Sequence, residues 1–176
     1  ETRENFSVTE LCSHREFRFV MPGPVVLEAE WQRCLDHLDS LQPPPRYLVL
    51  SGSLPLGVAD DFYAWVIDRA KARGSRVVLD TAGPALRAAL PHTPYLIKPS
   101  LNELRQLTGH ALETEADCMQ TAREIVRKGH AQVVALTLGA GGAMLVTQEE
   151  VVRSGAVGTS ILSTIGAGDS FVGGMV

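Results

Sequence analysis

The sequence predicts an α/β fold: a predominantly parallel sheet flanked by helices. Two observations carry this expectation. Between residues 47 and 137 short apolar runs alternate with segments of helical period, and polar or glycine-rich residues follow the apolar runs. Parallel strands are covered on both faces and read as unbroken apolar runs, whereas the helices that cover them keep a stripe of period 3.6.

The elements follow in order. Residues 4–21 alternate loosely, with Phe6 and Val8, then Phe17 and Phe19, and Ser13-His14 between them suits a turn. A two-stranded piece is expected there, ended by Met21-Pro22-Gly23-Pro24. From Leu27 the spacing becomes helical: Leu27, Trp31, Cys34, Leu35, Leu38 and Leu41 lie on one stripe, which Pro43-Pro44-Pro45 terminates. Strands are expected at 47–50, 77–79, 95–97 and 133–137, and helices near 60–73, 84–90, 101–108 and 115–128. Gly74 and Gly129 each follow a basic last turn, as helix C-caps do.

Composition narrows the class. The 176 residues are 45% apolar with a formal net charge of −4 and both signs interspersed. That describes one main globular domain without the charge footprint of a nucleic-acid or membrane binder. Cys12, Cys34 and Cys118 are far apart with no Cys-x-x-Cys pair, so neither a disulfide framework nor a zinc site is expected and a reducing, cytoplasmic location fits. No stretch approaches the ~18 continuous apolar residues of a membrane span, and residues 1–20 lack a signal-peptide pattern. The five histidines show no metal-ligand spacing, and Trp31 and Trp65 sit on helical stripes that suit core packing. The chain opens without Met inside a strand-like run and stops within a helix, which reads as an internal fragment of a larger protein.

In open parallel sheets ligands bind outside the carboxyl ends of the strands. Ser51, Gly52 and Ser53 stand at one such end, able to bind sugar hydroxyls or a phosphate, or simply to form a turn closed by Pro55. Asp80 ends an apolar strand, where it can hold Mg²⁺ through water or cap the next helix. Lys98 is placed as a phosphate partner, against the commoner fate of a solvated surface lysine. Ser100 and Glu103 have the spacing of a capping box, and a carboxylate beside a lysine can also position a hydrated metal. Gly139-Ala140-Gly141-Gly142 lacks the G-x-G-x-x-G spacing and precedes the strand-like Ala143-Met144-Leu145-Val146, so a Rossmann fingerprint fails on context. No P-loop run is present either. A glycine turn between strands can still admit an adenine nucleotide closely, or be a plain hairpin.

The last dozen residues are the most informative. Ser163 to Gly174 place a glycine-framed turn and Asp169 at a helix start. N–H groups and the dipole at a helix N-terminus favour anions, so Gly166 to Gly168 can cradle phosphoryl charge while Asp169 takes the proton of an attacking alcohol. The plainer alternative is an ordinary loop with an aspartate in the first helical turn.

Together these residues resemble the PfkB family of carbohydrate kinases, within the ribokinase-like superfamily. Residues 163–170 resemble the family's C-terminal signature, and Ser51-Gly52-Ser53-Leu54-Pro55, Lys98-Pro99 with Glu103, and Thr137-Leu138-Gly139 follow in the family's order. The resemblance covers essentially the whole chain. It implies part of a small β lid at 1–21 and a ribokinase-like α/β domain at 22–176, C-terminally incomplete. Glu1 to Asn5 and Arg18 to Pro24 are similar to the minor bacterial 6-phosphofructokinase branch, which implies ATP-dependent phosphorylation of the 1-hydroxyl of fructose 6-phosphate in glycolysis. On that resemblance Asp169 is the base, with Gly166, Ala167 and Gly168 as the anion hole. Arg3, Asn5, Ser51, Gly52 and Ser53 would bind the sugar phosphate. Lys98, Ser100, Thr137, Gly139, Gly141 and Gly142 would serve ATP, and Glu103 and Asp80 would serve Mg²⁺. Ser100 departs from the family's Asn-x-x-Glu pattern, and its shorter reach implies altered Mg²⁺ dependence. A 1-phosphofructokinase or tagatose-6-phosphate kinase is the near alternative, and a non-catalytic nucleotide- or sugar-phosphate-binding module the distant one. Half of a lid leaves a sheet edge unpaired, so a homodimer through the lid is implied, with no nucleic-acid or membrane partner.

Overall fold

The computed structural model describes residues 2–13, 15–158 and 163–176. Glu1 and His14, the latter half of the expected Ser13-His14 turn, lie outside them. The chain begins as a two-stranded antiparallel ribbon, β1 (Asn5–Thr9) against β2 (Glu16–Val20). Glu10 N–H bonds the Arg15 carbonyl at 2.9 Å where the ribbon reverses. In its register Phe6 faces Phe19 and Val8 faces Phe17, while Ser7 faces Arg18 and Thr9 faces Glu16. Side chains alternate across a strand, so the ribbon has an apolar side and a polar side.

Helix α1 (Glu28–Ser40) leads into the main sheet: β3 (Tyr47–Ser51), β4 (Arg76–Asp80), β5 (Leu96–Ile97), β6 (Val133–Thr137), β7 (Ala143–Val146) and β8 (Val151–Ser154), adjacent in that order. β3 to β6 pair in parallel, with Leu50 beside Leu79, Leu79 beside Ile97, and Ile97 beside Val134. The crossovers carry α2 (Phe62–Ala72), α3 (Gly83–Ala89), α4 (Leu101–Thr108) and α5 (Glu115–Arg127). β7 and β8 return antiparallel, and α6 (Ala167–Met175) follows.

Burial explains why the strands read as apolar runs. Val77, Val78 and Leu79 and likewise Val134, Ala135 and Leu136 are all but fully buried, because helices pack on both faces. The larger core sets Leu35, Ile67, Leu86, Leu104 and Ile125 of the helices against one face of the sheet. On the other face Val78, Leu96, Val133 and Ala135 meet Val172 of α6. Local signals fix the boundaries: α4 and α5 each start with a closed capping box, Ser100 with Glu103 and Thr114 with Asp117, and Gly109 ends α4 in the left-handed region at φ 73°.

Two expectations differ. The stripe proposed for α1 is only partly covered: Leu35 is buried, Trp31 and Leu38 pack half-buried, but Cys34 and Leu27 are exposed. α1 meets the body over a narrow strip, where Trp31 packs against Phe62 and Trp65 with ring centroids 6.1 Å and 5.4 Å away. The strand β8 had no counterpart in the periodicity, since Val151-Val152-Arg153-Ser154 offers two apolar residues and lies at the sheet's edge. Among the described residues no helix is long and apolar enough to cross a membrane.

Candidate active site

Parallel pairing brings the carboxyl ends of β3, β4 and β5 to one sheet edge, and a cavity of about 840 Å³ opens there. It gathers most of the residues expected from the sequence: Ser51, Gly52, Ser53, Asp80, Lys98, Glu103, Gly166, Gly168 and Asp169.

The Ser51–Ser53 turn is held from beneath. Gly52 adopts φ 94°, which a side chain resists, and its N–H donates to the Asp80 carbonyl at 2.9 Å. Its own carbonyl accepts from Tyr63 Oη at 3.0 Å and Thr81 Oγ1 at 2.8 Å. Ser51 is left facing the cavity, where its hydroxyl donates to Asp169 Oδ1 at 3.4 Å.

Lys98 is not a solvated surface lysine. It follows the central strand β5, its side chain is only 7% exposed, and Nζ lies 3.0 Å from Asp80 Oδ1. Nor does Asp80 cap the following helix: the N-cap of α3 is Ala82, without a side-chain bond. The carboxylate is turned across the sheet edge to its neighbour on β5 instead. A Cβ on Gly168 would sit 3.4 Å from Lys98 Nζ, so the start of α6 lies against the ammonium.

Gly166 is the N-cap of α6, in the left-handed region at φ 76°. The first intrahelical bond runs from Ser170 N–H to the Gly166 carbonyl at 2.9 Å, and Ala167 N–H turns back to the Thr164 carbonyl at 3.3 Å. The N–H groups of Gly168 and Asp169 precede that first bond and are the natural donors to an anion. Ala167, expected in the anion hole, spends its N–H on Thr164 and does not line the cavity.

Burial raises the Asp80 carboxyl above its ordinary pKa; the Lys98 hydrogen bond and charge pull it down, and the carboxylates of Glu103 and Asp169 push it up again. Tyr63 is raised by burial and then by Asp80. Asp80, Glu103 and Asp169 thus share one cavity, a concentration of negative charge that a divalent cation relieves. Among the described residues no three carboxylates, imidazoles or thiols close into a protein cage for an ion.

Several expected residues lie outside the cavity. Ser100 caps α4: its Oγ accepts from Glu103 N–H at 3.3 Å, while Glu103 Oε2 accepts from Ser100 N–H at 2.7 Å. Glu103 therefore has both a structural bond and a place in the cavity. Thr137 bridges to Ser100, and its N–H donates to the Pro99 carbonyl at 3.0 Å. Gly139, Gly141 and Gly142 form the tight turn between β6 and β7, farther along the same edge. Arg3 points into a neighbouring cavity of about 470 Å³, its Nε donating to the Met21 carbonyl at 2.9 Å and its Nη1 3.5 Å from Ser53 Oγ. Ser53 is the residue the two cavities share. Asn5 lies on the polar side of the ribbon without lining the main cavity.

Sequence reasoning missed Glu16 and Arg18, which line the cavity from β2; Thr81 and Thr164 line it too. Glu16 Oε1 accepts from Ser163 Oγ at 2.9 Å, joining the ribbon to the segment before α6. The available signal was alternation: Glu16 and Arg18 flank Phe17 and oppose the apolar side.

The raised Asp80 has a definite sign. The native state holds this proton more tightly than the unfolded chain, so the stability it contributes is fully present below the ordinary carboxylate pKa and lost as pH rises through the raised value. Carboxyl NMR titration is expected to place the Asp80 midpoint above that of an unperturbed aspartate, and Lys98→Met to move it higher still. A midpoint that falls when Lys98 is removed contradicts the ion pair.

The pfkB family carbohydrate kinase model matches residues 1–176. The ATP-dependent 6-phosphofructokinase isozyme 2 of Mycobacterium tuberculosis H37Rv is 38% identical over 171 residues, covering 97% of this chain and 50% of the relative. A 1-phosphofructokinase of Xanthomonas campestris is 34% identical over 179 residues, covering 99% and 56%. Among solved structures, Escherichia coli phosphofructokinase-2 in complex with fructose-6-phosphate superposes with a TM-score of 0.89 at 35% identity, covering 97% of this chain and 56% of that one. Arabidopsis thaliana ribokinase, complexed with ribose and ATP, matches at a TM-score of 0.70 and 20% identity over 97% of this chain and 54% of that one, which shows the ribokinase-like fold alone. The chain spans about half the length of the curated relatives it matches. With its whole length matched and a mostly parallel sheet of the same fold, the chain belongs to the pfkB family of carbohydrate kinases.

Proposed function

We propose that the protein is an ATP-dependent kinase that phosphorylates the 1-hydroxyl of fructose 6-phosphate. The observation that carries this reading is the juxtaposition at the start of α6: Asp169 on the first turn, the Gly168 and Asp169 N–H groups ahead of the first helical bond, and Ser51 reaching Asp169 from β3. Phosphoryl transfer asks for a base beside donors that stabilise charge on the transferred group.

The sheet order distributes the substrates. The sugar phosphate takes the β3 end, between Ser51 to Ser53 below and Arg18 above, with Arg3 behind Ser53. The nucleotide takes the β6 end, along Thr137 and the glycine turn, so that its terminal phosphate lies over Lys98 and the start of α6. Asp169 accepts the proton of the sugar hydroxyl, and that oxygen forms the new bond to phosphorus as the bond from phosphorus to the departing ADP oxygen breaks. Ser51 holds the carboxylate toward the sugar, while Lys98 and the two N–H groups face the phosphoryl oxygens. Glu103 and Asp80 would hold Mg²⁺, which would supply charge neutralisation.

The apolar side of the ribbon supports self-association. Phe6 and Phe19 stack with centroids 4.8 Å apart yet stay 53% and 46% exposed. With Val8 and Phe17 they form an uncovered apolar surface, and we assign it to the ribbon of a second copy.

Asp169→Asn is expected to lower kcat by about 10²–10⁴-fold while ATP and fructose 6-phosphate bind within a few-fold of the original. A near-normal rate removes Asp169 as the base. ATP binding without ADP formation by the unsubstituted full-length protein, across a panel of sugar phosphates, supports a binding module instead. Phe19→Asp is expected to shift a dimer to monomers in sedimentation; an unchanged assembly means the ribbon is not the interface.

A further inference from the structure

The turn between β6 and β7 is exposed and rich in glycine, with Gly139 at φ 58° and Gly142 at φ 96°. Such a turn has many conformations open to it. Among the described residues one side chain hydrogen-bonds it from outside. Arg153 on β8 spreads its guanidinium across the turn: Nη2 donates to the Gly141 carbonyl at 2.7 Å, and Nη1 donates to the Ser154 carbonyl and reaches the Ala143 carbonyl at 3.5 Å. Its Nε donates to Glu115, on the first turn of α5. Gly142 closes the same contact from the other side, since a Cβ there would run into the backbone of 154–156.

We propose that Arg153 is a positioning residue for the nucleotide subsite. Anchored on Glu115, it fixes the carbonyls on either side of Gly142, and with them the surface that the 139–141 turn offers to the nucleotide. This rests on the assignment of the nucleotide to that turn. The chemistry favours arginine over lysine: three separate carbonyls and a carboxylate lie around one planar group, and only a guanidinium has donors enough in fixed directions. Arg153 does not line the main cavity, so it acts through the turn and not on the reacting atoms. The β3 end, where the sugar is placed, is three strand spacings from β6, about 14 Å. Loosening the turn should therefore weaken one substrate and spare the other.

The test uses a full-length protein carrying this chain. Arg153→Ala is expected to raise the calorimetric Kd for ATP, and KM for ATP with it, by roughly five- to tenfold, while kcat at saturation and KM for fructose 6-phosphate stay within about twofold. Glu115→Gln, which keeps the guanidinium but removes its anchoring charge, is expected to move ATP binding in the same direction by less. Should Arg153→Ala fail to fold, Glu115→Gln decides. Gly139→Asp serves as the reference: a Cβ there meets open space and aspartate tolerates the left-handed region, so it puts a negative charge where the nucleotide is placed. ATP binding weakened in Gly139→Asp but unchanged in Arg153→Ala overturns the positioning role alone. Unchanged binding in both overturns the nucleotide assignment with it. Equal loss of ATP and sugar affinity in Arg153→Ala also overturns the proposal, since a general structural defect does that.

Discussion

The buried pair of Lys98 and Asp80 is the constraint around which the site is arranged. Two adjacent parallel strands end in opposite charges, and the pairing of β4 with β5 brings them to 3.0 Å with little exposure to water. Removing charges from solvent costs several kcal/mol per ion, and neither partner is tolerable there without the other. The arrangement makes sense as a holder for a third charge. Lys98 is kept directly beneath Gly168, and the burial of Asp80, opposed only in part by its partner, leaves that carboxyl above its ordinary pKa. An anion arriving at the start of α6 thus meets a cation that is already desolvated and already in place.

The rest of the fold serves that placement. Helices on both faces bury β4, β5 and β6, so that only the strand ends reach water. The Ser51–Ser53 turn is tied to Asp80, Tyr63 and Thr81 through the two backbone groups of Gly52. α6 crosses the smaller core and delivers Asp169 to the same edge. Glu16 and Arg18 close the cavity from the ribbon, and the Glu16 bond to Ser163 links that cover to the segment entering α6. The regions proposed for the sugar and the nucleotide lie at opposite ends of one row of strand termini, with the phosphoryl group assigned to the middle.

Much of this was legible in the sequence where one signal sufficed. The helix at 101–108 and the strand at 133–137 were placed to the residue, because Ser100 and Glu103 open the first with a capping-box spacing and an unbroken apolar run defines the second. Asp80 and Lys98 were selected by the rule that strand ends converge, which needs only the order of elements, and Asp169 by the glycine-framed turn at a helix start. What escaped depends on side-chain direction. That Asp80 turns to Lys98 and that Arg3 turns to the Met21 carbonyl are choices among partners the sequence leaves equally available. Glu16 and Arg18 escaped for a similar reason: alternation shows that the ribbon has two sides, and only packing decides which side faces the cavity.

The most direct measurement is a crystal structure of the full-length protein with MgADP, fluoroaluminate and fructose 6-phosphate, the fluoroaluminate standing for the phosphoryl group in transfer. The fluoroaluminate is expected against the N–H groups of Gly168 and Asp169, with the sugar 1-hydroxyl about 2.6–3.2 Å from the Asp169 carboxylate. Fluoroaluminate bound away from the start of α6, or a sugar hydroxyl out of reach of Asp169, contradicts the account.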